Sequence, residues 1–150
     1  MIKLYITADS FKHFEKPIKE YEKRLGRNCN IIKLKPIKNW STSQIIEKET
    51  NNLIEKLKKD RSYKIVLNLK WKSFETKELY NFIESKKQSF WSLSFIIWWA
   101  YWLDYIKLKK HTDFELNLWN LTMPHSLALL VLLEQIYRIG MIKKWSKYHK

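Results

Sequence analysis

The sequence predicts an α/β domain, a mostly parallel sheet with flanking helices. Three observations lead there. Short apolar stretches of strand length alternate along the chain with longer stretches of helical period. Two strand-like stretches, "YKIVLNL" and "SLSFIIW", are almost continuously apolar, as strands covered on both faces are. No internal repeat and no linker interrupts the pattern, so residues 1–150 read as one domain, a length that suits a single core.

The elements follow in order. Ile2 to Ala8 alternates apolar residues and reads as a strand. Ser10 is a candidate cap for a helix from Phe11 to about Leu25, with Phe14, Ile18, Tyr21 and Leu25 on one face. Pro17 either starts that helix proper or kinks it, and Gly26 is a natural stop. Asn30 to Ile37 reads as a second strand, placed at an edge by its lysines and Pro36. After the loop "NWSTSQ", Ser41 or Ser43 opens a long charged helix to about Lys59, with Ile45, Ile46, Leu53, Ile54 and Leu57 as its stripe.

Tyr63 to Leu69 is a strong strand, and Thr76 can cap a helix to about Lys87 with Leu79, Tyr80 and Ile83 inward. Ser92 to Trp98 is a core strand, Leu103 to Lys110 a short helix, and Phe114 to Leu118 a last short strand. Pro124 opens the final helix, running to about Lys143. It is apolar nearly all round through Leu133, which requires burial on several sides, in the core or in a dimer interface.

Composition narrows the partners. Lys and Arg total 29 against 15 acidic residues, a net charge of +14. That excess favours a polyanion, either nucleic acid or an anionic membrane surface. A proteome that uses lysine for solubility would give the same count. The single cysteine, Cys29, rules out an internal disulfide framework and a cysteine zinc cluster, and fits a cytoplasmic setting. The N-terminal stretch "MIKLYITADSFK" has no apolar run of signal-peptide length. The mostly apolar run Phe90 to Leu103 is short for a membrane span.

Motifs for familiar chemistries are missing: there is no Ser-His-Asp signature, no P-loop, and no metal-spaced cluster of His and Asp, so no metal is expected. The carboxylates lie mostly in charged helices and read as solvated faces.

The C-terminal third differs. "LNLWNLTMPHSLALLVLLEQIYR" is followed by "KKWSKYHK", and upstream stand "EYEKRLGR", "VLNLKWK" and "FIIWWAYWL". This set resembles the ribosomal RNA large subunit methyltransferase H family, most closely at "LTMPH", "LLEQIYR" and "YHK". The resemblance covers essentially the whole chain. It implies a SPOUT-class enzyme that uses S-adenosylmethionine to methylate N3 of a pseudouridine in 23S rRNA of the ribosome. It implies a C-terminal trefoil knot, a topology nearly absent from other proteins, and a homodimer. Carried onto this sequence, it places Leu67, Trp98 and the segment Leu118, Trp119, Asn120, Leu121, Thr122 and Met123 against the cofactor. Tyr148 and His149 match the tail that reaches the target nucleotide or the partner subunit's site. Arg138 is a candidate catalytic or RNA-facing charge, or the ion-pair partner of Glu134 one turn back.

One departure is systematic. The chain has two glycines, where average usage predicts roughly ten, and eight tryptophans. The family pattern has glycine at the positions of Trp71, Trp98, Trp99, Trp102 and Trp145. Trp119 stands at a small residue, Trp91 in a connection where glycine is common, and Trp40 in a variable loop. A UGA codon read as tryptophan, in a source that reads it as glycine, produces this pattern. Glycine in such loops allows close backbone approach to a ligand, and an indole at 98 would fill the cofactor site. Another reading uses the aromatics as they stand, a catalytically impaired RNA-binding relative whose cofactor site tryptophan blocks, with indoles stacking on bases. A third, from charge alone, is a peripheral membrane-surface protein, but no helix pairs its lysines with a matched apolar insertion face.

Overall fold

The computed structural model describes residues 1–68, 73–97, 104–118 and 121–148, with side chains as far as residue 144. Five strands make one sheet: β1 (Ile2–Thr7), β2 (Cys29–Leu34), β3 (Tyr63–Leu67), β4 (Leu93–Ile97) and β5 (Phe114–Leu116). Their order is β2-β1-β4-β3-β5 and every pairing is parallel. Five helices connect and cover them: α1 (Glu15–Leu25), α2 (Thr42–Lys59), α3 (Thr76–Ser89), α4 (Tyr105–Lys109) and α5 (His125–Tyr148). The α/β class expected from the strand–helix alternation is the class observed.

Alternation along each strand divides the core into two layers. Ile2, Leu4 and Ile6 of β1, with Leu93, Phe95 and Ile97 of β4, face α1, α3 and α5, meeting Ile18, Ile83, Leu129 and Leu132. Tyr5, Val66 and Ile96 face the other way, against Leu53, Ile54 and Leu57 of α2 and Leu108 of α4. Each such Leu or Ile removed from water contributes about 1.5–3 kcal/mol before chain entropy is charged against it. The middle strands are apolar on both faces for this reason, and β2, paired on one side only, carries the lysines that its edge position tolerates.

A buried polar cluster ties three strands together on the α2 face. The Asp60 carboxylate, 7% exposed, follows α2 and accepts hydrogen bonds from Lys3 Nζ, Tyr5 OH and Ser94 Oγ, each at 2.8 Å, and from the Ser62 amide at 3.1 Å. Ser62 Oγ donates in turn to Ser94 Oγ at 2.6 Å. Burial alone would raise the Asp60 pKa, but these four donors outweigh it and hold the carboxyl well below the usual carboxylate range.

Helix boundaries correct several expectations. Ser10 does not cap α1. Residues Lys12–Phe14 form a 3₁₀ turn, α1 starts at Glu15, and Glu15 reaches back to accept the Phe11 amide at 3.1 Å. Pro17 sits in the first turn of α1, where its missing N–H costs nothing. Gly26 ends α1 with φ at +52°, a conformation that side chains disfavour. Ser41, not Ser43, caps α2 in a capping box with Gln44. At α3 the cap is Glu75, whose amide is accepted by the Glu78 carboxylate at 2.9 Å, while Thr76 is the first helical residue and donates its hydroxyl to Gln135 of α5. Strand β2 ends at Leu34 rather than Ile37, and β5 at Leu116, with Asn117 adding one bridge to Ser73.

Helix α5 runs on to Tyr148. Its span His125–Lys144 is long and apolar enough to cross a membrane by length and composition. Here Leu129, Leu132, Leu133, Ile136 and Ile139 are buried in the core of the sheet's α1/α3 face. Threading of α5 through a loop depends on residues 98–103 and 119–120, outside the described residues.

Candidate active site

Because all strands are parallel, their carboxyl ends share one edge, and sheets of this kind bind ligands beyond that edge where the strand order reverses. Here the reversal lies between β1, followed outward by β2, and β4. The register Ile2↔Leu93 through Ile6↔Ile97 sets the ends of β1 and β4 level. Beyond them opens a cavity of about 490 Å³, walled by Thr7 and Ala8 after β1, Ile97 at the end of β4, Glu49 of α2, and His125 and Ser126 at the start of α5. Lys12, at its rim, has φ of +49°, which turns the chain sharply over the opening.

Two buried residues in that wall have a polar atom without a partner among the described residues. Glu49 is 4% exposed; its Oε1 accepts the Ile37 amide at 2.8 Å, and Oε2 has no hydrogen-bond partner among the described residues. Burial pushes its pKa up, against the Ile37 contact, which pulls it down. Ser126 is 9% exposed, and its hydroxyl has no partner among the described residues. The His125 pKa is pushed down by burial and then by the nearby Lys12 charge, which favours the neutral ring.

A second, smaller hollow of about 360 Å³ lies past β5, between Phe74, Thr76, Leu116, Leu118 and Gln135. On the opposite face of β5, Glu115, 6% exposed, collects Asn68 Nδ2 at 2.8 Å, Lys109 Nζ at 3.2 Å and the Tyr105 hydroxyl. Burial raises the Glu115 pKa, but these donors prevail and lower it. The Asn68 amide also donates to the Leu116 carbonyl at 2.9 Å. The connection leaving β3 and the helix α4 entered from β4 are thus fastened to β5.

The sequence-derived site residues distribute as follows. Leu67 ends β3 and is buried, and Leu118, half-buried, follows β5 one strand over. Leu121 is 66% exposed, Thr122 exposed and Met123 half-buried, on the segment that leads into α5. These five lie along the carboxyl edge. Trp98, Trp119, Asn120 and His149 lie outside the described residues, as do Trp71, Trp99 and Trp102. Tyr148 is the last residue of α5. Arg138 is thirteen residues into α5, about 20 Å along the axis from its start. Its Nε donates to Glu134 Oε1 at 2.9 Å, and a terminal guanidinium nitrogen bonds the same oxygen. Of the remaining tryptophans, Trp91 is 92% exposed, and Trp40 is 47% exposed beneath Lys48 Nζ, 3.4 Å from its ring centroid.

Glu49 and Ser126 were not singled out in the sequence. For Glu49 a signal exists: it falls four residues after Ile45 and four before Leu53, so an acid occupies the apolar stripe of α2.

Comparison with known proteins agrees with this geometry. The family profile described as "Predicted SPOUT methyltransferase" matches residues 2–149. Proteins named Ribosomal RNA large subunit methyltransferase H are similar throughout. That of Streptococcus uberis is 36% identical over 148 residues, and that of Fusobacterium nucleatum 34% over 143, each alignment covering 93% of this chain and 92% of the relative. Among solved structures, the methyltransferase Lpg2936 of Legionella pneumophila, with bound SAM, superposes with a TM-score of 0.52 at 11% identity. That match covers 93% of this chain and 66% of the other, and shows the fold.

Proposed function

The chain belongs to the SPOUT methyltransferase family, and from that premise we propose that it transfers the methyl group of S-adenosylmethionine to N3 of a pseudouridine in 23S rRNA of the ribosome. The observation that carries this reading is the end-to-end similarity to methyltransferase H proteins, over 92% of their length. The net charge of +14 supports an RNA partner, since lysines that neutralise phosphates give affinity without reading sequence.

The residues at the carboxyl edge suit the cofactor. Leu67 ends β3 and Leu118 follows the adjacent β5, where they would offer an apolar shelf to an adenine ring, with Leu121, Thr122 and Met123 on the segment that would close over it. Bound there, S-adenosylmethionine supplies a methyl group already activated on a sulfonium, so hard chemistry is not asked of the side chains. The chain's own work is placement. It must hold the base with N3 toward the methyl donor, keep water out, and leave a path for the N3 proton. The cavity between β1, β4 and α5 adjoins that edge and is large enough for a pyrimidine nucleoside.

Small enzymes of this kind have no separate RNA-binding domain, and the reading includes a homodimer. Leu127, Leu130 and Val131 on α5 are only half-buried in one chain, which supports a second copy against that helix. Arg138, Tyr148 and His149 would then serve the RNA or the partner subunit's site, in the cytoplasm where ribosomes are. The test is transfer of labelled methyl from S-adenosylmethionine to ribosomes lacking the modification. Label at N3 of a 23S pseudouridine is expected from the form with glycine at 98, 99 and 102. Absence of label with this chain, and equally with glycine at 98, 99 and 102, would refute the proposal.

A further inference from the structure

We infer that Glu49 selects pseudouridine over uridine by accepting a hydrogen bond from N1–H of the target base in the cavity between β1, β4 and α5. The inference rests on the proposed reaction and assigns the specificity of its acceptor site.

The chemistry of the two bases narrows what a selective pocket must contain. Superposed on their glycosidic bonds, pseudouridine and uridine present the same two carbonyls and the same N3–H. They differ at one position on the exposed edge, where pseudouridine has N1–H and uridine has C5–H. A protein that tells them apart by hydrogen bonding therefore needs an acceptor at that position. N1 and N3 point in directions about 120° apart on the ring, so an acceptor at N1–H leaves N3 open to the methyl donor.

The cavity holds such an acceptor, and it is otherwise unexplained. Glu49 is 4% exposed, yet among the described residues only one of its carboxylate oxygens has a partner, the Ile37 amide at 2.8 Å. A buried carboxylate oxygen without a donor is costly, and its retention calls for a ligand that supplies one. The other acid on the wall, Asp9, is exposed and paired with Lys38. Ser126, also buried and without a partner among the described residues, can donate to a base carbonyl across the cavity. A carboxylate bonded to the backbone through one oxygen is held in place for recognition with the other, which limits the entropy lost on binding. Discrimination by a group left unpaired with the wrong substrate exceeds what shape alone provides.

The experiment measures binding of three nucleosides, pseudouridine, N1-methylpseudouridine and uridine, by ligand-observed NMR titration, with the parent chain and with Glu49→Gln. The variant can keep the Ile37 contact through its amide oxygen and then presents an NH2 to the cavity; circular dichroism checks its fold. The parent should bind pseudouridine about ten- to hundredfold more tightly than the other two. Glu49→Gln should bind all three alike. A preference that survives in the variant, equal binding of all three by the parent, or no binding by the parent overturns the inference. The N1-methyl arm needs no mutant, so misfolding of the variant cannot hide the answer. Methyl transfer to ribosomes is scored separately. A parent that methylates uridine- and pseudouridine-containing ribosomes equally refutes the role of Glu49 and spares the reaction. A parent that prefers pseudouridine, with no methyl transferred by it or by the form with glycine at 98, 99 and 102, does the reverse.

Discussion

Replacing Asp60 by asparagine removes one charge and half of the acceptor capacity from a site built entirely of donors. The aspartate receives Lys3, Tyr5 and Ser94 at 2.8 Å and the Ser62 amide at 3.1 Å. Asparagine keeps the shape and one acceptor oxygen, but turns an NH2 toward two of these donors and leaves the Lys3 ammonium, itself 22% exposed, without its counter-charge. Hydrogen bonds to a charged group contribute about 1.5–3 kcal/mol each, and breaking a buried pair costs about 3–5 kcal/mol. Asp60→Asn should therefore lose about 3–5 kcal/mol. With a urea slope of about 2 kcal/mol per molar, the unfolding midpoint falls by about 2 M. The pH dependence has a definite sign. A carboxyl whose folded pKa lies below its unfolded value of about 3.9 stabilises above that pH, and the contribution fades as pH falls through the folded value. The parent should weaken below about pH 4 through this group, and the variant should lack that component. A midpoint shift under about 0.5 M, or acid profiles of identical shape, would show that the cluster does not hold β1, β3 and β4 together as described.

Three further outcomes are expected. Calorimetry should find weak or no S-adenosylmethionine binding to the chain with Trp98, Trp99 and Trp102, and binding after all three become glycine; tight binding by the tryptophan form ends the steric account. Arg138→Ala should leave the urea midpoint nearly unchanged, since exposed helix pairs such as Arg138–Glu134 contribute about 0.3–0.5 kcal/mol, while in the form with glycine at 98, 99 and 102 it should lower methyl transfer to ribosomes at least tenfold; unaltered transfer would reduce Arg138 to a surface ion pair. Cys29, whose thiol pKa burial and then Glu22 push up to about 12, should react with a thiol reagent at pH 8 only after unfolding, and rapid native labelling would contradict that environment.

The strands were legible because burial on both faces leaves a strong compositional trace: Tyr63–Leu67 and Leu93–Ile97 read as strands before any partner is known. Leu67 and Leu118 were assigned to the cofactor through motif resemblance alone; the structure puts Leu67 at the end of β3 and Leu118 two residues past β5. The acids were read least well. Glu49 and Asp60 sit in lysine-rich sequence that reads as solvated helix, yet each is buried by partners remote in sequence. Glu49 answers to Ile37, twelve residues away, and Asp60 to Lys3, fifty-seven away. Periodicity sees neighbours three or four residues apart, so a carboxylate recruited by a distant amide leaves at most an anomaly in the stripe. The caps failed for a related reason. Ser10 and Thr76 are good caps by type, but the Glu15 carboxylate takes the Phe11 amide, the Glu78 carboxylate takes the Glu75 amide, and the Thr76 hydroxyl is drawn to Gln135 on another helix.

The placement of β1 between β2 and β4 has a consequence for synthesis. β1 and β2 are made early and can pair at once, but the other side of β1 waits for β4, whose first residue follows the end of β2 by roughly sixty residues. At a translation rate of about 5–20 residues per second, that open row of amides and carbonyls faces the ribosome exit and its chaperones for several seconds. Lys3, pointing to the α2 face from the second residue of this strand, is a charge that discourages premature pairing during the wait, and it becomes a structural ion-pair partner only when Asp60 arrives. One side chain thus guards the nascent edge first and fastens the finished sheet afterwards.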